Sequence, residues 1–167
     1  MPSRLEMIDE LLQACGKGEL DEVNRILDSG VSPNSANKIG YTPLMSAASS
    51  YRVEVLKLLL ARGADPNARA SDGLSALHCA VGSTPSQPAQ QAECVKLLLN
   101  SGGLPNVSDD TGLTPLMDAA WFGCHDATEV LLANKADASL IDKKGRTARD
   151  LAVAKNRIEI LRLLDKK

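Results

Sequence analysis

The residues able to do chemistry are few, and their spacing excludes most of it. The histidines are His78 and His125; the cysteines are Cys15, Cys79, Cys94 and Cys124. No two cysteines stand in Cys-x-x-Cys spacing. His125 follows Cys124, but a metal needs further ligands at matching spacing, and the sequence offers none. Isolated cysteines in apolar segments read as small buried residues of a reducing compartment, not as a disulfide framework. Serine is plentiful, yet there is no Gly-x-Ser-x-Gly elbow and no partner set for a nucleophile. Gly16-Lys17-Gly18 is not a phosphate loop and reads as a turn between helices. The acidic pairs Asp21/Glu22 and Asp109/Asp110 fall near a helix start and in a turn, and read as solvated surface. With no convergent polar constellation, the chain is expected to be non-enzymatic, without metal or cofactor.

Composition narrows the remaining classes. The chain has 167 residues, 24% of them charged, with a formal net charge of −2. That balance lacks the basic excess of a nucleic-acid binder. No apolar run reaches the length of a membrane span, and the start, MPSRLEMIDELLQ, has no apolar core of a signal peptide. The expectation is one domain over 1–167, monomeric on its own, in the cytoplasm and/or nucleus. The aromatic residues are Tyr41, Tyr51, Trp121 and Phe122. The two largest rings are adjacent, and neighbours on a helix cannot share one face. One of them, or both, must therefore do something other than fill the core.

The elements that position these residues come from an internal repeat. Residues 40–72 and 112–144 align without a gap over 33 residues, sharing G-x-T-P-L-M-x-A-A, a leucine run and A-D. Residues 73–111 carry the same start and end with six extra residues within 82–93. Residues 145–167 repeat the two helical parts, and residues 5–39 carry the pattern without its opening turn. Each unit reads as a helix–turn–helix. Thr42, Ser75, Thr114 and Thr147 are hydroxyl caps, and Pro43 and Pro115 sit at the first helical position. Ala47, Ala48, Ala119 and Ala120 let neighbouring helices approach closely. The second helices carry apolar faces, predicted as Leu56, Leu59 and Leu60, then Val95, Leu98 and Leu99, then Val130, Leu131 and Leu132. Gly30, Gly63 and Gly102 end them. One such unit cannot bury its own apolar face, so the units must stack.

This pattern resembles the ankyrin repeat. The matching stretches are T-P-L-M (42–45 and 114–117), A-L-H (76–78), V-L-K-L-L-L-A-R-G-A-D-P-N (55–67) and V-K-L-L-L-N-S-G (95–102). The resemblance covers about 5–167 and implies an all-α ankyrin-repeat solenoid of stacked helix–turn–helix units joined by β-hairpin-like turns. Met45 and Met117 replace the family's usual His, which His78 keeps; there it bonds backbone of the adjoining turn. Tyr51 stands where the family usually has glycine, kept at Gly123. The polar residues Arg4, Glu6, Asp9 and Glu10 at one end, and Arg149 and Asp150 at the other, read as end caps, so five units are expected to be the whole stack. Asn34, Asn67 and Asn106 occupy equivalent turn positions, where the side chain can bond its own local backbone. The resemblance makes Asn67 a candidate for an asparaginyl hydroxylase. The 82–93 segment reads as a tolerated surface loop, with Thr84-Pro85 as a proline-directed phosphorylation dipeptide.

The resemblance also implies where a partner binds: on the finger-like turns and the concave face of the first helices. The finger tips include Lys38, Ile39, Ser71, Asp72, Lys143 and Lys144. The register places Tyr41, Leu74, Leu113 and Arg146 immediately after the opening glycines, Ser46, Cys79 and Asp118 on the groove side, and Trp121 and Phe122 at a variable position that Ser49 and Ser50 fill in another unit. With Arg69, the candidate partner-binding residues are Tyr41, Arg69, Leu74, Leu113, Asp118, Trp121, Phe122 and Arg146. Exposed aromatics favour a binding anchor. The alternative is that Trp121 folds back over a neighbouring helix or the 82–93 loop. Flanked by Arg69 and Arg146, the strip suits a protein or peptide with apolar anchors and some acidic character. The expected function is a non-enzymatic protein–protein interaction scaffold; the alternative is a dedicated inhibitor or assembly chaperone of one partner.

Overall fold

A computed structural model describes residues 3–166. Among these residues ten helices form five consecutive pairs: α1 (Arg4–Lys17) and α2 (Leu20–Asp28), α3 (Pro43–Ser49) and α4 (Val53–Ala61), α5 (Ala76–Val81) and α6 (Pro88–Asn100), α7 (Pro115–Phe122) and α8 (His125–Ala133), α9 (Ala148–Ala154) and α10 (Ile158–Leu164). First helices pack on first helices of the neighbouring units, and second helices on second helices, giving an inner and an outer row. No strand is assigned among the described residues.

The first helices start where the hydroxyl residues stand. Thr42 Oγ1 accepts from Met45 N at 3.3 Å, Thr114 Oγ1 from Met117 N at 3.4 Å, and Thr147 Oγ1 from Asp150 N at 3.2 Å. Each bond satisfies one donor that the first helical turn leaves free. Ala47, Ala48, Ala80, Ala119, Ala120 and Ala152 are fully buried along the inner row. In the outer row the buried face differs from the sequence expectation by one helical step. It consists of Val55, Leu56 and Leu59 on α4, Cys94, Val95 and Leu98 on α6, and Ala127, Thr128 and Leu131 on α8. Leu60, Leu99, Val130 and Leu132 are only half-buried, because a leucine run offers several faces and the neighbouring unit selects one.

The expansion in the third unit is not a long loop. Only 82–87 is non-helical; the remainder adds a turn to α6, which has 13 residues against nine in α4 and α8. Pro88 at its start and the Ala and Gln that follow favour helix. The added turn delivers Gln91 into the core, 1% exposed. Its Nε2 lies 2.9 Å from the Ala80 carbonyl, 3.2 Å from the Tyr51 hydroxyl and 3.4 Å from Cys124 Sγ. Tyr51 reaches this network from a left-handed backbone, φ 56°, at the turn where the first and fourth units use Gly18 and Gly123. A non-glycine residue there costs about 1–2 kcal/mol. Burial of the ring and a 2.9 Å bond between its hydroxyl and Ser83 Oγ offset the cost.

The end units are less polar than the sequence suggests. Arg4, Glu6, Asp9 and Glu10 are exposed, but so are Leu5 and Ile39 on the first unit and Ile141, Val153 and Ile158 around the last. Among the described residues nothing packs on the outer side of the first or the last helix pair, and apolar residues in the repeat register stay uncovered there.

Two stability changes follow. Gln91→Leu leaves the Ala80 carbonyl without this donor and should lower unfolding free energy by about 1–3 kcal/mol in urea denaturation. Lys135 is left-handed (φ 67°) where the preceding units have Gly30, Gly63 and Gly102. Lys135→Gly should therefore stabilise by up to about 1 kcal/mol, strain relief of ~1–2 kcal/mol less the added freedom of the unfolded chain.

Candidate interaction groove

The fingers are built from turns that close on themselves and then on their neighbours. Within each, an N–H meets the carbonyl four residues on: Asn37 to Tyr41 at 3.1 Å, and Ala70 to Leu74, Asp109 to Leu113 and Asp142 to Arg146 at 2.9 Å each. Asn37, Asp109 and Asp142 each also accept two backbone N–H groups on one side-chain oxygen. Asp109 is thus a finger clamp, not merely solvated surface. Successive fingers are joined by Ser71 N to Ile39 O at 2.9 Å, Asp110 N to Asp72 O at 2.9 Å and Lys143 N to Thr111 O at 3.0 Å. The approach is close enough to require glycine. A Cβ on Gly112 (φ +86°) would sit 2.9 Å from the Lys143 nitrogen.

Side chains reinforce the same spacing. His78, 1% exposed, accepts the Ser75 N–H on Nδ1 at 3.2 Å, which leaves Nε2–H to donate to the Leu113 carbonyl at 3.0 Å. Burial pushes its pKa below the ordinary histidine value, against the pull of that carbonyl. The asparagines do not bond their own turn, as expected, but the next one. Asn34 donates to Gly63 O and accepts from Asp65 N; Asn67 donates to Gly102 O and accepts from Leu104 N; Asn106 donates to Lys135 O and accepts from Asp137 N. Sequence spacing cannot show this, because the partner lies about one repeat further along.

Between the fingers and the first helices lies a groove with two adjoining hollows. One, of about 350 Å³, is lined by Leu113, Asp118, Trp121, Phe122, Arg146 and Leu151, with Lys144 at its edge. The other, of about 420 Å³, includes Tyr41, Leu74, Cys79 and Asp109 and shares Asp118 and Phe122 with the first. Seven of the eight candidate residues therefore meet along one surface. Arg69 lines neither hollow; its guanidinium donates to the Ser108 carbonyl and ties one finger to the next.

The aromatic pair is half-buried at the end of α7. Both rings line the first hollow, and Phe122 also faces the second. The Lys155 ammonium stands 3.9 Å from the centre of the Trp121 ring, and Arg157 Nε donates to the Trp121 carbonyl at 3.2 Å. Trp121 thus leans on the last unit, while it is Phe122 that shares a hollow with Gly82 and Ser83 of the inserted segment. The sequence reading did not single out Lys155. The register could have found it, since it occupies the Phe122 position one unit on.

The charges are distributed differently from the simple picture of two free arginines. Arg146 is held by Asp142, with Nε and the terminal nitrogen 2.8 and 2.6 Å from one carboxylate oxygen. Arg69, bonded only to a neutral carbonyl, keeps its charge but is turned toward the next finger, whereas the charge of Arg146 is answered by Asp142. Asp118 forms no ion pair among the described residues. Burial, and secondarily the Asp109 charge, push its pKa up to about 7. Burial likewise raises the Cys79 thiol to about 11, so it stays protonated and unreactive. His125 pairs with Asp126 at 3.2 Å, and no three metal-ligating side chains converge among the described residues.

The raised Asp118 pKa means that the folded state holds its proton over a range where the unfolded chain has lost it. Stability from this group is complete below about pH 4 and declines as pH rises toward 7. Asp118→Asn should match wild type near pH 4 and exceed it at pH 8 by on the order of 2 kcal/mol in chemical denaturation.

A family model described as ankyrin repeats (3 copies) matches residues 11–102 and 86–167. SH3 and multiple ankyrin repeat domains protein 1 of Homo sapiens is 37% identical over 141 residues, 83% of this chain and 6% of that protein. Ankyrin repeat, SAM and basic leucine zipper domain-containing protein 1 is 37% identical over 125 residues in Dasypus novemcinctus and 40% over 111 in Loxodonta africana. Those matches cover 75% and 66% of this chain, but only 26% and 23% of the relatives. The chain thus spans a small part of the length of these relatives. No helix among the described residues is long and apolar enough to cross a membrane.

Proposed function

The chain belongs to the ankyrin-repeat family, whose repeats are protein–protein interaction modules, and from that premise we propose that it binds a partner protein or peptide in the groove between its fingers and first helices. The observation that carries this reading is the meeting of Tyr41, Leu74, Leu113, Trp121 and Phe122 with Asp118 along two adjoining hollows. A scaffold needs only small residues at the ends of the first helices, as Ser49 and Ser50 show, so the rings at Trp121 and Phe122 are surplus to folding. Half-buried aromatics bordering a preformed hollow supply contact area at little entropic cost. Arg69 and Arg146 act here through the fingers they hold in place. The reading carries no catalytic step: both ring nitrogens of His78 are taken up by backbone bonds, and burial keeps the Cys79 thiol protonated.

Affinity purification with wild-type and Trp121→Ala chains tests it. The variant should lose at least tenfold in recovered partner. Its thermal midpoint should fall by no more than roughly 2–4 °C, equivalent to about 1 kcal/mol for a half-buried ring. A fall of several kcal/mol with the complex intact would make the ring core and overturn the proposal. One stoichiometric partner would identify a dedicated inhibitor or escort, and several would identify an adaptor.

A further inference from the structure

The groove holds one charge that its own scaffold leaves unanswered. Asp118 sits where the other units carry Ser46, Cys79 and Leu151, so the fold does not need a carboxylate there. It lines both hollows, with Trp121 and Phe122 beside it. Most of the cations near it are engaged elsewhere. Arg146 is bound to Asp142, and Lys155 lies over the Trp121 ring. Lys144 stands at the exposed rim without an ion pair to Asp118. A half-buried carboxylate without a cation is unfavourable in the empty groove and is relieved by a cation brought into it.

Resting on the groove reading above, we propose that the partner segment carries a lysine or arginine that inserts beside Asp118, flanked by apolar side chains that pack on Trp121 and Phe122. The carboxylate would accept hydrogen bonds from that side chain, and the surrounding rings would exclude water and cover its aliphatic stem. Acidic segments are disfavoured, because Asp109 lies along the same groove, Arg146 is already paired with Asp142 and Arg69 lines neither hollow.

The groups facing Asp118 set how binding depends on pH. They are His78 and Cys79 from α5, Asp109 and Tyr41 from the fingers before α7 and α3, and Lys144 and Arg146 from the finger after α8. Burial lowers the His78 pKa and raises those of Cys79 and Tyr41 to about 11 and about 12, which leaves Asp118 as the group that changes charge near neutrality. A cation binds the deprotonated form, so affinity rises with pH through that range.

The test is selection of a displayed library of random dodecapeptides on the full chain, in parallel with Asp118→Asn and with Trp121→Ala. Wild type should enrich histidine-free peptides with a Lys or Arg between apolar residues. Their affinity should rise about tenfold from pH 6 to pH 8. Asp118→Asn should abolish both the basic enrichment and the pH dependence while still binding apolar peptides. Peptides that need Trp121 but show no basic preference, or an acidic one, overturn this inference and leave the groove reading standing. Peptides indifferent to Trp121→Ala, or no peptides at all, overturn both.

Discussion

Close approach of the first helices, made possible by alanine, sets every other dimension of this protein. Ala47, Ala48, Ala119 and Ala120 are fully buried, and the equivalent positions in other units hold side chains no larger than the fully buried Val81 and Cys15. A single unit would leave both faces of its helix pair in water; only the next unit covers them. The same spacing brings one finger within hydrogen-bond distance of the next and places each residue four beyond a cap on a shared channel. Cys79, Asp118 and Leu151 line that channel although each is a repeat or more apart in sequence.

Regular spacing also explains why much of the polar chemistry is structural. His78, Asn34, Asn67, Asn106 and Arg69 each bond backbone in the following unit. These groups hold the stack in register, and none remains available as a catalytic group. Arg146 is likewise consumed by Asp142 within its own finger. Asp118 differs because it is half-buried beside Trp121 and Phe122 and forms no ion pair with the cations that line the same hollow, so burial, and secondarily the Asp109 charge, raise its pKa.

The inserted segment shows how an irregularity can be absorbed without breaking the repeat. Extra residues become one more turn of α6, and that turn supplies Gln91 to a buried site shared by Tyr51, Ala80 and Cys124. Tyr51 holds a strained backbone to take part. Contacts from the second, third and fourth units therefore meet there, and the segment is integral to the stack on one side while Gly82 and Ser83 border the groove on the other.

The sequence alone determined the repeat, its helix starts, its all-α class and its family likeness, because these depend on local rules: a hydroxyl cap, a first-turn proline and a period of 33 residues. It also pointed, through register, to groove-side positions; Cys79 and Asp118 line the hollows, whereas Ser46 and Arg69 line neither. It did not determine how those positions are occupied electrically. Arg69 and Arg146 read as flanking cations, and the structure turns one to a carbonyl of the next finger and pairs the other with Asp142; Asp118, which reads as a groove-side binding residue, is left without an ion pair among the described residues. Nor could it give the 88–93 helix turn, the buried Gln91 or the Lys155 ammonium on Trp121. Each of these depends on distances between residues that are far apart in the chain, and such distances exist only once the units have stacked.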